Sequence, residues 1–167
     1  LGKYREKYIE DNSTTINPAK NLAAKLSGKI VIVYSGADLT DAIGARWKAQ
    51  ICENSKQMAF HNVFPEFNHN ELVGWSKMIE PFKDHLAVVI LRDAGDHQKI
   101  RARMNIVAEI IRSLEVDVTD VHSRGDTGLE RMLSLIQYGD FVSYYLAIAN
   151  NVNPTPVKVI DSLKRAL

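Results

Sequence analysis

The sequence predicts a single α/β domain, a three-layer αβα sandwich with a mostly parallel sheet. Its 167 residues are 46% hydrophobic and 25% charged, close to the globular average and long enough for one core. Short β-branched runs, clearest at 30–34 (IVIVY) and 86–92 (LAVVILR), suit strands buried on both faces. These runs alternate with stretches of helical periodicity, which is the pattern of βαβ units.

The first elements are two helices and a strand. Residues 1–11 could form a charged helix, and the polar stretch 12–17 (NSTTIN) is typical of a linker. Asn17 followed by Pro18 predicts an N-cap and a first helical position, so a helix should run to about Leu26. The first strand follows at 30–34.

A second helix and strand come next. Asp38 or Thr40 can cap a helix over 41–55, whose apolar positions Ile43, Trp47 and Ile51 have helical spacing. A short strand is predicted at about 58–62. Residues 66–75 (EFNHNELVGW) look like a loop running into a helix.

The remaining elements repeat the alternation. The strand at 86–92 precedes a helix over 97–113, and a strand at 116–121 precedes a long apolar helix over 127–150. That helix belongs either at the centre of the domain or in a dimer interface. Pro154-Thr155-Pro156 then opens a short final helix.

Composition excludes several classes of function. A net charge of +1 gives no electrostatic basis for binding nucleic acid or an anionic membrane. No apolar run approaches the roughly 18 residues of a membrane span, and no signal peptide is visible. The single cysteine, Cys52, excludes an intramolecular disulfide and suits a cytoplasmic location. The first residue is Leu, so we expect the chain to be processed or cut from a longer one.

The carboxyl ends of the predicted strands are the places where parallel sheets bind ligands. Ser35-Gly36 follows the first strand and resembles the start of a phosphate-binding loop, but a tight strand-to-helix turn explains it better. The chain has neither a G-x-G-x-x-G pattern nor a Walker lysine, which argues against a nucleotide site.

Glu53 is a candidate general base. It lies near the end of the helix predicted over 41–55, where the helix dipole disfavours a negative charge and so favours proton uptake. A solvated carboxylate paired with Lys56 is the alternative.

His69 is flanked by Asn68 and Asn70 at a predicted helix entry, with Glu71 two positions on. Imidazole exchanges protons near neutral pH, so His69 is a candidate acid–base group, unless one of the Asn residues is merely the helix cap. A metal site is not expected, because there is no H-x-x-x-H pair and no nearby thiolate.

Four segments occur together that are similar to one known family, from about residue 17 to the end: 17–20 (NPAK), 46–56 (RWKAQICENSK), 62–75 (NVFPEFNHNELVGW) and 153–157 (NPTPV). The set resembles the C-terminal sugar isomerase (SIS) domain of the bifunctional phosphoglucose/phosphomannose isomerases of archaea and bacteria.

The resemblance implies isomerisation of glucose 6-phosphate or mannose 6-phosphate to fructose 6-phosphate through an enediol, with no metal or other cofactor. It implies that Glu53 is the base and that His69 opens the sugar ring from across a homodimer interface. Thr155 would shape the sugar pocket. Lys164 is the first candidate for the lysine that acts at the ring oxygen or hydroxyls of the sugar, and Lys158 is the second. Ser35 and Asn70 are the further substrate-binding candidates.

One part of the family pattern is missing. The phosphate loop of the family lies in a preceding SIS domain, and no S-x-S-x-x-T loop occurs in this chain. We therefore expect residues 1–16 to be an interdomain linker with a helical tail and 17–167 to be the C-terminal SIS domain, inactive without its partner domain. The alternative is a stand-alone module that binds sugar phosphates.

Overall fold

The computed structural model describes residues 2–9 and 17–167. Among residues 2–9 the helix predicted over 1–11 is present as α1 (Gly2–Arg5), and turn residues follow it to Ile9. Tyr8 is buried, and its ring contacts Tyr138 and Phe141. Most of the predicted linker, 12–16, lies outside the described residues.

Four strands form one parallel sheet in the order β2-β1-β3-β4. They are β1 (Ile30–Gly36), β2 (Ala59–Phe64), β3 (Leu86–Arg92) and β4 (Asp117–His122). The predicted parallel sheet is confirmed. Both β1 and β2 run two residues further than predicted, because Ser35 and Gly36 pair with Val63 and Phe64.

Helices cover both faces of the sheet, as the three-layer prediction requires. The helices are α2 (Pro18–Leu26), α3 (Asp41–Ser55), α4 (Gln98–Ser113), α5 (Gly128–Ala149) and α6 (Lys158–Ala166). Side chains of α2, α3 and α5 share one core with one face of the sheet, and those of α4 share a second core with the other face. The long helix α5 packs against both α2 and α3 in the layer on the first of these faces. Within the described part of the chain, no helix is long and apolar enough to cross a membrane.

The connection from β2 to β3 differs from the prediction. In place of a loop and a helix it contains three short 3-10 helices, Glu66–His69, Glu71–Gly74 and Lys77–His85, here called the 3-10 segment. Asn70 interrupts the segment with a non-helical backbone (φ −141°, ψ −72°). Pro81 lies within the third 3-10 helix, Lys77–His85, and has no backbone N–H to donate. These two breaks explain why no continuous α-helix forms.

The direction of the chain determines which residues share an edge of the sheet. All four strands run parallel, so α3 begins at their carboxyl edge and ends at their amino edge. The 3-10 segment begins at the carboxyl edge, directly after β2. Residues at the end of α3 therefore lie at the amino ends of the strands, and residues at the start of the 3-10 segment lie at their carboxyl ends.

Candidate active site

Glu53 lies exposed in the last turn of α3, as predicted. Lys56 caps the helix in the left-handed conformation (φ 54°) and its Nζ donates to the backbone carbonyls of Glu53 and Pro154, the latter at 3.1 Å. Lys56 thus binds the main chain rather than the Glu53 carboxylate. Within residues 2–9 and 17–167 that carboxylate makes no hydrogen bond, so it is free to accept a proton from a ligand.

A groove of about 800 Å³ opens beside Glu53. Its charged lining residues are Glu53, Lys56 and Lys158, and the rest of its wall includes the apolar side chains Met58, Val152, Pro156, Val157, Val159 and Ile160. The structure therefore brings together two segments that the sequence placed about a hundred residues apart, the end of α3 and the start of α6. A carboxylate and two ammonium groups around one groove can move a proton and stabilise developing negative charge.

Thr155 lies on the loop that closes this groove. It is exposed, its N–H donates to Asn153 Oδ1 at 2.9 Å, and its neighbours Pro154 and Pro156 contact Lys56 and line the groove. The backbone of the loop is thereby held against the end of α3.

The two candidate lysines of the last helix occupy different places. Lys158 begins α6 and lines the groove, whereas Lys164 lies in the last turn of the same helix. At 1.5 Å per residue the two positions are about 9 Å apart along the helix axis. The geometry places Lys158 at the groove and Lys164 away from it.

His69 and Asn70 are exposed and lie at the carboxyl ends of the strands, at the first break of the 3-10 segment. Asn70 Oδ1 accepts a hydrogen bond from the N–H of Glu71, so Asn70 does cap a helical turn. The His69 side chain makes no hydrogen bond in the described part of the chain. It is therefore presented to solvent or to a second molecule.

The segment that carries His69 is held by a clamp of hydrogen bonds that joins the exposed Glu71 to the buried Tyr34. The Glu71 carboxylate accepts hydrogen bonds from the Tyr34 hydroxyl and from Asn62 Nδ2 (2.8 Å), and Trp75 Nε1 donates to the same Tyr34 hydroxyl at 2.8 Å. The Tyr34 ring stacks on Phe67 at 4.1 Å between centroids. Burial first, and Glu71 second, raise the pKa of Tyr34, which keeps its hydroxyl protonated and able to donate. Sequence reasoning missed this role of Glu71, because Tyr34 is distant in the sequence.

Glu53 and His69 do not meet within one chain. Glu53 precedes β2 and His69 follows it, and six residues of strand at about 3.3 Å per residue separate their two ends by about 17 Å. A site that uses both residues must take them from two copies of the chain.

Ser35 is completely buried, and its hydroxyl lies 2.9 Å from His61 Nε2. Burial lowers the pKa of His61, Lys48 adds to this effect, and Asp41 opposes it. Gly44 leaves room for the ring, since a Cβ there would lie 2.3 Å from His61 Nε2. The hydroxyl of Ser35 therefore supports the packing of β1 against β2 and α3 rather than a ligand.

The carboxyl ends of β3 and β4 carry a buried carboxylate. Asp93 is 4% exposed and accepts from Arg131 Nε (2.9 Å), Ser123 Oγ (2.6 Å) and the N–H of Gly95 (2.7 Å). Burial alone would raise the pKa of Asp93, but these donors and the charge of Arg131 outweigh it and hold the pKa below its usual range. Asp96 lies beside it, and burial raises its pKa.

No three His, Cys, Asp or Glu side chains among residues 2–9 and 17–167 converge on a point where they could hold a metal ion.

A family model and the curated relatives of this chain point to the same family. A family model described as the bacterial phospho-glucose isomerase C-terminal SIS domain matches residues 15–167. The bifunctional phosphoglucose/phosphomannose isomerase of Caldicellulosiruptor bescii is 43% identical over 100% of this chain and 49% of its own length. The protein of the same name from Aquifex aeolicus is 33% identical over 98% of this chain and 50% of its own length.

Among solved structures, a glucose-6-phosphate isomerase like protein from Thermus thermophilus superposes with a TM-score of 0.77 at 21% identity, covering 99% of this chain and 53% of that chain. This likeness shows a shared fold. The chain spans about half the length of the curated relatives that it matches.

Proposed function

The chain belongs to the family of bacterial phospho-glucose isomerase C-terminal SIS domains, and on that basis we propose that it is the catalytic half of a phosphoglucose/phosphomannose isomerase. The reaction is the isomerisation of glucose 6-phosphate or mannose 6-phosphate to fructose 6-phosphate through an enediol. In the proposal residues 17–167 are the C-terminal SIS domain, 1–16 connect it to a preceding phosphate-binding domain, and the enzyme is a cytoplasmic homodimer.

The observation that carries the proposal is the unbonded Glu53 carboxylate at the mouth of a groove lined by Lys56 and Lys158. In an aldose–ketose isomerisation a base takes the proton from the carbon next to the carbonyl and returns it to the adjacent carbon. Glu53 is the candidate for both steps, because its carboxylate is exposed beside the groove and makes no hydrogen bond among the described residues. The two lysines supply positive charge for the enediolate.

Ring opening is assigned to His69 of a second copy. Histidine is the side chain that enzymes use most often as a general acid or base, and the His69 side chain is exposed. Its distance from Glu53 within one chain supports donation across a dimer. Asn70 beside it is the candidate for a sugar hydroxyl, and Thr155 shapes the groove from the other side. Of Lys158 and Lys164, Lys158 is the better supported, because it lines the groove. Ser35 is left out of the proposed site, since its hydroxyl is buried and bonded to His61.

The division of labour between two domains can be tested directly. A coupled isomerase assay is run on this chain alone and on this chain joined to the first half of the Caldicellulosiruptor bescii relative. We expect no turnover from the chain alone and turnover from the joined protein. Full activity of the chain alone would contradict the proposal, and tight binding of fructose 6-phosphate by the inactive chain would favour the stand-alone binding module.

The role of Glu53 is tested in the joined protein with Glu53→Gln. Removing a general base lowers kcat by about 10²–10⁴-fold while the sugar phosphate still binds. Glu109→Gln, an exposed carboxylate on α4, is the matched control and should leave kcat unchanged. Wild-type turnover in Glu53→Gln would remove Glu53 from the mechanism.

Donation of His69 is tested by mixing two inactive variants, Glu53→Gln and His69→Ala. If each site combines Glu53 of one copy with His69 of the other, a hybrid dimer contains one intact site, and random exchange restores about a quarter of the wild-type activity. If both residues act within one copy, no hybrid recovers activity.

A further inference from the structure

We propose that the crevice at the carboxyl ends of β3 and β4 binds a phosphate group, either as inorganic phosphate or as the ester of a small molecule. The crevice is a cavity of about 340 Å³ whose lining includes Arg92, Asp93, Arg101, Asn105, His122 and Ser123. The groove beside Glu53 lies at the amino ends of the strands, so the two sites are separate. The inference does not depend on the proposed isomerase reaction.

The crevice lies where the connections of the sheet diverge. The chain that leaves β3 leads to α4, which packs in the core on one face of the sheet, whereas the chain that leaves β4 leads to α5, in the core on the other face. In open α/β sheets ligands bind in the crevice that such a divergence opens beyond the carboxyl ends of the strands. The volume of about 340 Å³ is at the small end of the range of about 300–1,000 Å³ found for ligand pockets.

The neighbouring divergence, between β1 and β3, is filled. The chain that leaves β1 leads to α3, on the same face as α5. Asp96 occupies the space beyond these two strands: its Oδ2 accepts from the N–H of Asp93 at 2.8 Å, and a Cβ on Gly36 would lie 3.0 Å from its Oδ1. The crevice between β3 and β4 therefore stays open where its neighbour is closed.

The side chains that line the crevice present donors without acceptors. Arg101 and Asn105 are one turn apart on α4, on the same side of the helix. Arg101 Nη1 donates to the carbonyl of Ala94 at 3.3 Å, and its other N–H groups make no hydrogen bond among the described residues. Arg92 Nη1 donates to Asn105 Oδ1 at 2.8 Å, which leaves Asn105 Nδ2 free to donate. His122, the register partner of Arg92, is exposed, and its ring makes no hydrogen bond within the described part of the chain.

The carboxylate in the lining does not compete for these donors. Asp93 is 4% exposed, and both of its oxygens already accept hydrogen bonds. Oδ1 accepts from Arg131 Nε and Ser123 Oγ, and Oδ2 accepts from the N–H of Gly95. The Asp93 charge is thus neutralised by Arg131 on the side away from Arg101 and Asn105, which belong to α4.

Positive charge exceeds negative charge around the crevice. Asp120 forms ion pairs with both Arg92 and Arg112, so two guanidinium groups share one carboxylate. Arg101 forms no ion pair among residues 2–9 and 17–167. Asp96 interacts electrostatically with Arg92 and Arg101 and offsets part of this surplus. Three guanidinium groups then stand against two carboxylates, so the balance remains positive.

A phosphate group matches this set of donors. Its oxygens surround one centre, so donors from two strands and a helix can each bind a different oxygen of the same group. The planar guanidinium group is also the side chain best suited to phosphate, because it donates two parallel N–H bonds. A carboxylate has only two oxygens in one plane and would leave more of these donors without an acceptor.

The site is tested by isothermal titration calorimetry of the 167-residue chain with sodium phosphate at low ionic strength. We expect saturable binding that Arg101→Gln weakens by at least about tenfold, because the variant loses charged donors to the anion. Arg103→Gln is the matched control: Arg103 is exposed on the same helix and does not line the crevice, so removing the same charge there should leave the dissociation constant unchanged. Absence of saturable binding, or equal dissociation constants for the two variants, would overturn the proposal.

A second measurement does not depend on how Arg101→Gln folds. In amide spectra of the wild-type chain recorded by nuclear magnetic resonance, phosphate should shift the signals of residues 93–95 and 122–124. Shifts confined to the residues around Glu53, or equally tight binding of acetate, would overturn the assignment of a phosphate site to the crevice.

Fructose 6-phosphate, titrated in the same way, identifies the source of the phosphate group. If it binds more tightly than inorganic phosphate and Arg101→Gln weakens it, the ligand is a phosphate ester. If Arg101→Gln weakens only inorganic phosphate, the ligand is the free anion. Both titrations use the chain alone and need no turnover, so their outcome is independent of the isomerase assays.

Discussion

Glu71→Gln should lower the free energy of unfolding and loosen the segment that carries His69. The Glu71 carboxylate accepts from two donors at once, the Tyr34 hydroxyl and Asn62 Nδ2. A glutamine has a single side-chain oxygen, so one of the two donors must face its amide NH₂ and lose its acceptor. Tyr34 is completely buried, so its hydroxyl cannot turn to water instead.

The magnitude follows from that lost acceptor. A buried donor left without a partner costs about 1–3 kcal/mol, and hydrogen bonds to a charged group lie in the upper part of this range. Asn62 is only half-buried, so the cost falls to the lower part if the glutamine oxygen turns to Tyr34 and leaves Asn62 to water. We expect a loss of about 2 kcal/mol.

The assay is urea unfolding followed by tryptophan fluorescence at a fixed chain concentration. Glu66→Gln is the matched control: Glu66 is exposed, its one hydrogen bond from Asn70 is 3.5 Å long, and the change should stay within about 0.5 kcal/mol. A double-mutant cycle with Tyr34→Phe should give a coupling energy of at least about 0.5 kcal/mol. Equal stability of Glu71→Gln and Glu66→Gln would show that the Glu71 carboxylate does not hold this segment. Strictly additive stability changes for Glu71→Gln and Tyr34→Phe would show the same.

Three further predictions concern the body of the domain. Gly139→Ala should lower the free energy of unfolding by about 1–3 kcal/mol, because a Cβ at this position would lie 2.4 Å from Trp47 Nε1. Gly128→Ala in the same helix is the control: its Cβ would meet no atom closer than 4.0 Å, so the variant should be as stable as the wild type or more stable in urea unfolding. The lowered pKa of Asp93 contributes stability that is complete above the unfolded value of about 3.9 and is lost as the pH falls through the folded value, so Asp93→Asn should flatten the acid limb of a stability–pH curve. Arg131→Ala leaves that buried carboxylate without its cation and should cost about 3–5 kcal/mol at pH 7 by urea unfolding. An Arg131→Ala protein as stable as wild type would show that Asp93 is neutral or solvated.

Local patterns predicted most of the helices and strands. The Asn17 side chain accepts from the N–H groups of Ala19 and Lys20, so the predicted cap of α2 is confirmed. The strand run at 86–92 is buried on both faces, whereas in the run at 30–34 Ile30 is exposed and Ile32 is only partly buried. These features depend on neighbours within a few residues, which a sequence displays directly. The 3-10 segment was predicted wrongly. Its chain is broken locally at Asn70 and Pro81, and hydrogen bonds such as that from Tyr34 to Glu71, which join distant parts of the chain, hold the resulting backbone in place.

In the candidate site too, local patterns predicted some residue positions and tertiary packing decided others. Periodicity and the helix end place Glu53 where the structure has it, since both are local properties of α3. The burial of Ser35 against His61, and the position of Lys158 rather than Lys164 at the groove, depend on how α3, β2 and α6 pack together. No spacing in the sequence records that packing.

The sequence by itself determined the fold class, the family resemblance and the residues that carry the proposed chemistry, because composition, periodicity and motifs are properties of neighbouring residues. The tertiary structure decided which of those residues lie near one another. Strands follow one another along the chain, but their lateral order, β2-β1-β3-β4, depends on contacts between segments far apart in the sequence. That order puts β2 at an edge, and the parallel direction of the strands puts Glu53 and His69 at its opposite ends, which is why the proposed active site needs a second copy of the chain.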